Sequence, residues 1–179
     1  MPIVGLDVQW MINGAEDKTV LRRMSAAFER NGSELLNFEK HLWPLVTVAF
    51  ETEMTRQFSE EGAGPGRGTW AELSPDYAKW KAANFPGQPI LQRTGDLMRA
   101  MTNSGDVHAL RTASGDTFEF GTRGIEYASF HQLGTYRMPD RPPFDFSADF
   151  QRDLNDAGLQ AVRAAAKESG VDEFVEVRE

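Results

Sequence analysis

The chain has 179 residues and a mass of 20.0 kDa, enough for one domain with an appendage but short for two full domains. Folding at this size buries roughly 70% of the unfolded surface, and 40% hydrophobic with 26% charged residues excludes a disordered composition. The absence of cysteine excludes a disulfide scaffold, a thiolate metal site and a cysteine nucleophile.

A net charge of −8 disfavours broad phosphate neutralisation by the whole surface. The charge is unevenly placed: residues 62–139 carry 8 Lys+Arg against 7 Asp+Glu, whereas residues 140–179 carry 5 against 10. An acidic end of this kind keeps a protein off DNA or offers a docking surface to basic partners, and a merely solvated surface is the plainer reading. No apolar run reaches membrane-spanning length, and the segment Met1–Asp7 has no basic region ahead of an apolar one. Neither a span nor a signal peptide is expected, and the chain is read as soluble and intracellular at synthesis.

Residues 3–10 alternate, with Val4, Leu6, Val8 and Trp10 on one face, which predicts a half-buried strand. A helix over about 18–30 follows, from Asp17 as N-cap to Asn31-Gly32 as stop. Pro44 divides the next helical stretch. It predicts a turn before it, with Trp43 held away from the helical region, and a helix over 44–60. On that helix Val46, Phe50, Met54 and Phe58 form a core stripe, and the acids Glu51 and Glu53 fall on the solvent side.

The glycine-rich stretch 62–68 follows a helix and lacks the lysine of a phosphate cradle, so it reads as a loop that orders on a partner. Ser74-Pro75-Asp76 starts a helix carrying Tyr77, Trp80 and Lys81. Thr94-Gly95-Asp96 opens another with Leu97, Met98 and Met101 on its face. Strands over 106–112 and 116–122 read as a hairpin, the second placing Phe118, Phe120 and Thr122 on one side. A short helix then carries Tyr127 and His131. After the extended stretch Met138–Phe144, Ser147 caps a helix over 148–169 stopped by Gly170. Residues 171–177 are a strand candidate.

The pattern points to an α+β fold: a small, mainly antiparallel sheet of the N-terminal strand and the hairpin, with several packed helices and a C-terminal helical extension. The expected division is a domain over 1–146 followed by an acidic helix and tail over 147–179.

Catalytic constellations are not evident. His41, His108 and His131 sit on three different elements without metal-ligand spacing. His131 reads as a hydrogen-bonded structural residue, and no nucleophile elbow occurs. No metal, cofactor or catalytic residue is expected.

Five motifs stand in order: Trp70-x-x-Leu73-Ser74, Lys81, Ile90-Leu91-x-x-Thr94-Gly95-x-Leu97, Tyr127-Ala128-x-x-His131-Gln132-x-Gly134, and Pro139-x-Arg141-Pro142. With Arg56-Gln57-Phe58-Ser59-Glu60 upstream, they resemble the phage virion morphogenesis family, Mu-like tail-completion proteins acting where head and tail join. The resemblance covers most of residues 1–146. The family pattern usually reads Pro-Ala-Arg-Pro-Phe, whereas here Asp140 replaces the small residue and Pro143 is inserted before Phe144.

The resemblance implies a non-enzymatic structural protein of a tailed phage or phage-like particle: a homo-oligomeric, ring-forming neck adaptor in tail completion or head–tail joining. Its implied partners are the head–tail connector and the tail tube or tail terminator proteins, with no membrane and no sequence-specific nucleic acid. Its implied location is the neck or tail of the virion, and the host cytoplasm during assembly. A small phage- or prophage-encoded hydrolase and a non-phage adaptor are the competing classes. Candidate interaction residues are Trp70, Thr94, Gly95, Tyr127, His131, Gln132 and Arg141. Arg141, between prolines, either presents its guanidinium to a neighbour's carboxylate or packs on its own domain. The acidic segment 147–179 is either an assembly arm or a helix packed at home with a frayed tail.

Overall fold

The computed structural model describes residues 37–63, 68–115, 117–145 and 147–170. The strand expected over 3–10, the helix over 18–30 and the strand candidate over 171–177 lie outside the described residues, as does most of the glycine-rich stretch.

The described elements are, in order, α1 (Phe38–His41), α2 (Trp43–Ser59), α3 (Pro75–Asn84), α4 (Asp96–Thr102), β1 (Ala109–Ser114), β2 (Thr117–Thr122), α5 (Tyr127–Leu133) and α6 (Ala148–Ser169). β1 and β2 form a two-stranded antiparallel sheet, so the fold is α+β with a C-terminal helix. Contacts divide the described residues into two compact units, one within residues 47–112 and 118–152, the other within residues 37–46, 113–117 and 153–170.

The first unit holds the described core. Met54, Phe58, Trp70, Leu97, Ala100 and Met101 are buried together, with Ile125 completing the cluster. Phe50 on α2 stacks on Phe120 at 4.5 Å between ring centres and meets Phe150 edge-on at 4.8 Å. Full burial of one large apolar side chain is worth about 1.5–3 kcal/mol, so this cluster dominates the unit's stability. The stripe expected on α2 is present: Val46, Met54 and Phe58 are buried and Phe50 half-buried.

The acids of α2 depart from expectation. Glu53 is fully buried rather than on the solvent side; it pairs with Arg56 and accepts the Ser147 amide at 3.4 Å. Glu51 is half-buried and meets the Arg111 guanidinium at 3.4 Å. Helical periodicity puts these acids outside because Arg111 comes from β1 and Ser147 from the cap of α6, neither of which a helix pattern contains.

Arg111 is a structural hub. Its guanidinium donates to the carbonyls of Ala100 (3.1 Å), Met101 (3.0 Å) and Gly121 (3.0 Å) and lies 3.6 Å over the Phe120 ring. It thereby satisfies carbonyls near the C-terminus of α4, where the helix dipole favours a cation. β1 starts later than expected, at Ala109, because Asp106 forms a turn. Its side chain accepts the His108 amide at 2.8 Å and its carbonyl accepts the Ala109 amide at 3.0 Å.

In the second unit, Lys40 reaches Glu168 at 2.6 Å and His41 lies 3.3 Å from the same carboxylate. Trp43 is helical despite preceding a proline. Its indole N–H donates to the Gly115 carbonyl at 2.9 Å and its ring packs edge-on to Phe38, and these anchors outweigh the local preference. α6 buries Ala157, Ala161, Ala165 and Ala166, with Leu154 and Val162 half-buried. Ser147 caps α6 as expected, its hydroxyl accepting the Phe150 amide at 3.0 Å, and Gly170 ends the helix at φ +66°. No helix of the described residues is long and apolar enough to cross a membrane.

Candidate functional site

The motif residues scattered between 70 and 144 are brought together within the first unit. Trp70 is buried beneath them, and its indole N–H donates to the Pro142 carbonyl at 3.1 Å. The Gln57 side-chain amide donates to the same carbonyl at 3.0 Å. Gln132 binds the Phe144 backbone twice, donating to its carbonyl at 3.1 Å and accepting its amide at 3.0 Å, as a neighbouring strand would. The proline-rich segment is therefore fastened by side chains in place of a sheet ladder.

Arg141 is nearly fully buried and does not reach outward. Its Nε donates to the Ala71 carbonyl at 2.6 Å and its Nη2 to the Glu72 carbonyl at 2.7 Å, while its own amide donates to the His131 carbonyl at 2.8 Å. Of the two readings of this residue, packing on its own domain is the one found. Flanking prolines supply no backbone donors, so the segment relies on the Arg141 side chain to tie it to residues 71–72.

Thr94 and Gly95 form the entry to α4. The Thr94 hydroxyl donates to Asp96 at 2.6 Å, and Gly95 is the N-cap at φ +77°. Gly134 ends α5 with φ +68° and ψ −179°, a conformation open essentially to glycine alone. A Cβ there would lie 2.8 Å from the Asp140 amide nitrogen, so the residue also admits the close return of the chain.

Between α3, α5, the start of α4 and this returning segment lies a cavity of about 420 Å³. Lys81, Arg93, Arg137 and Arg141 line it together with His131, and no carboxylate is among its lining residues. Tyr77 and Tyr127 add partly exposed rings, and Leu73, Leu91, Met138 and Pro139 supply apolar wall. Thr94, Tyr127, His131 and Arg141 are the expected residues that line it; Trp70 and Gln132 instead hold Pro142 and Phe144 of the returning segment, and Gly95 caps α4 next to Thr94.

Burial pushes the Lys81 ammonium below its ordinary value. Glu61 opposes the shift, and Arg141 and Arg93 add to it. Lys81 also donates to the Pro89 carbonyl. Burial, and then the Arg141 charge, lower the His131 pKa as well. The His131 ring meets Tyr127 edge-on at 5.9 Å, and its Nδ1 is buried with no hydrogen-bond partner among the described residues. The hydrogen bond expected of this histidine is thus lacking at Nδ1.

Sequence reasoning missed Arg93 and Arg137 as site residues and took Lys81 only as a motif position. Their signal was a basic excess in residues 62–139 of an acidic chain, which shows no location until the segments converge. Among the described residues, no group of three or more His, Cys, Asp or Glu is arranged to hold a metal ion.

No family model and no solved structure matches the chain. Over 97 residues it is 32% identical to the Mu-like prophage FluMu G protein 1 of Haemophilus influenzae, a match covering 54% of this chain and 61% of that protein. The similarity is to a protein of phage origin, and the chain spans about three-fifths of that relative's length.

Proposed function

We propose that the chain is a non-enzymatic structural protein of a tailed phage or phage-like particle. It acts in tail completion or head–tail joining as a ring-forming neck adaptor. The observation that carries this reading is the similarity to a Mu-like prophage protein over 97 residues. The ordered motifs and the way they are used support it. Trp70, Gln132 and Arg141 spend their hydrogen-bonding groups on backbone carbonyls and amides, building a fixed surface. Fixed surfaces serve assembly. A closed ring requires head-to-tail contacts between unlike faces of identical subunits. The partners on this reading are a head–tail connector and a tail tube or terminator protein, met in the host cytoplasm before incorporation into the neck.

Deletion of the gene from a phage or inducible prophage that carries it tests the role. The expected result is separate full heads and unattached tails by electron microscopy, joined again when the gene is supplied in trans. Wild-type titre with complete particles after deletion overturns the role. Native mass spectrometry of purified necks tests the ring, and a single copy per particle overturns it.

A further inference from the structure

The cavity between α3, α5 and the returning segment has a charge opposite to that of the chain containing it. Four cationic side chains line it without a carboxylate, in a protein of net charge −8. Among the described residues, none of Lys81, Arg93, Arg137 and Arg141 lies within 4 Å of a carboxylate oxygen. Lys81 and Arg141 are buried and tied to backbone carbonyls. Arg93 and Arg137 are exposed, resting against the Phe85 and Tyr136 rings at 5.9 and 4.9 Å. Such a layout supplies two exposed guanidinium donors and two positive charges held on backbone carbonyls.

Apolar exposure continues along the same helix and the turn after it. Phe130 is 54% exposed, Leu133 81% and Tyr136 90%, with Tyr127 partly exposed as well. Exposed apolar side chains of this size suit a contact surface.

We propose that this cavity binds an acidic side chain from an extended segment of a partner protein. Flanking apolar residues of that segment lie on Tyr127, Phe130 and Tyr136. Arg93 and Arg137 grip the carboxylate, for which planar guanidinium donors are well matched. A peptide suits the site better than a nucleic acid for two reasons. The overall negative charge repels a polyanion, and the apolar rim has use for aliphatic or aromatic side chains. The inference rests on the site geometry alone and stands apart from the role in head–tail joining.

The test uses the full chain and a fluorescent ten-residue peptide with one central Glu flanked by Phe and Val, against the same peptide with Gln in place of that Glu. The acidic peptide is expected to bind at least tenfold more tightly, with affinity falling as salt rises. Arg93→Gln/Arg137→Gln is expected to weaken it at least tenfold, whereas Arg123→Gln, an exposed cation outside the cavity, leaves it unchanged. Melting curves check that each variant is folded, and Arg137→Glu alone serves if the double variant is not. Equal binding of the Gln peptide, equal loss in Arg123→Gln, or stronger binding of a single-stranded oligonucleotide overturns the proposal.

Discussion

The Glu53 carboxylate and the Arg56 guanidinium, one turn apart on α2, form an ion pair in which the acid is wholly buried and the base is 27% exposed. Arg56 has further partners in Ser147 at 3.0 Å and Asp149 at 3.4 Å; the pair therefore links the middle of α2 to the start of α6. The two residues are unequal. Removing Arg56 takes from a buried carboxylate the base one turn away, whereas removing Glu53 leaves a base that reaches solvent and keeps Asp149. Arg56→Ala is expected to cost about 3 kcal/mol and Glu53→Ala less. Replacing both by leucine is expected to recover much of the loss. Urea unfolding of the three variants checks the order.

Gly134→Ala is expected to destabilise by about 2 kcal/mol or more, since it meets both an unfavourable backbone region and the Asp140 amide. Thermal melting checks the stability. The same variant is expected to disturb the cavity, because the return of the chain to Met138 and Arg141 begins at this turn.

Gln132 offers one donor and one acceptor to a single residue, which an amide does at neutral pH and an ionised carboxylate does not. Gln132→Ala loses both bonds and is expected to cost about 2 kcal/mol. Gln132→Glu keeps the acceptor but sets a carboxylate against the Phe144 carbonyl, so it is expected to be as damaging at neutral pH. Acidification through the carboxylate range protonates it and restores a donor. Stability of the Glu variant, measured relative to the native chain at pH 4 and pH 7, is expected to be better at the lower value.

His131 makes stability depend on pH. Its folded pKa lies below the unfolded value near 6.5, chiefly through burial and then through Arg141. As pH falls below about 6.5 the unfolded chain takes up a proton that the folded chain refuses, and the folded state loses stability. Above that value the contribution is constant. His131→Gln is expected to flatten this part of the stability profile between pH 7 and 5, measured by denaturant unfolding at each pH.

Much of the helical framework was legible in the sequence because its signals are local. The Met54 and Phe58 stripe, the Ser147 cap, the Gly170 stop and the hairpin each depend on neighbours within a turn or two. The site was legible only as a set of motifs. Tyr127 and His131 share a helix face and could be paired by spacing, but Arg141 was open between two readings. Its partners, Ala71 and Glu72, lie some seventy residues away, and no periodicity carries that information. The burial of Glu53 was hidden for the same reason, since Ser147 lies on a different element. The basic cavity is the clearest case: Lys81, Arg93, and the pair Arg137 and Arg141 come from three segments whose charges are unremarkable one by one.

The fastening of residues 141–144 by Gln57, Trp70, Gln132 and the carbonyls of Ala71 and Glu72 also has a temporal side. Most of these contacts span some seventy to eighty-five residues of chain, and such long closures form slowly compared with helix formation. On the ribosome, the Trp70 region emerges well before Pro142 can accept its indole hydrogen bond. During that interval its apolar groups are uncovered and open to misassociation. Chains interrupted anywhere between Trp70 and Phe144 should therefore be recovered as aggregates or degradation products, and a pulse of newly made protein should resist protease only after residue 144 has left the exit tunnel.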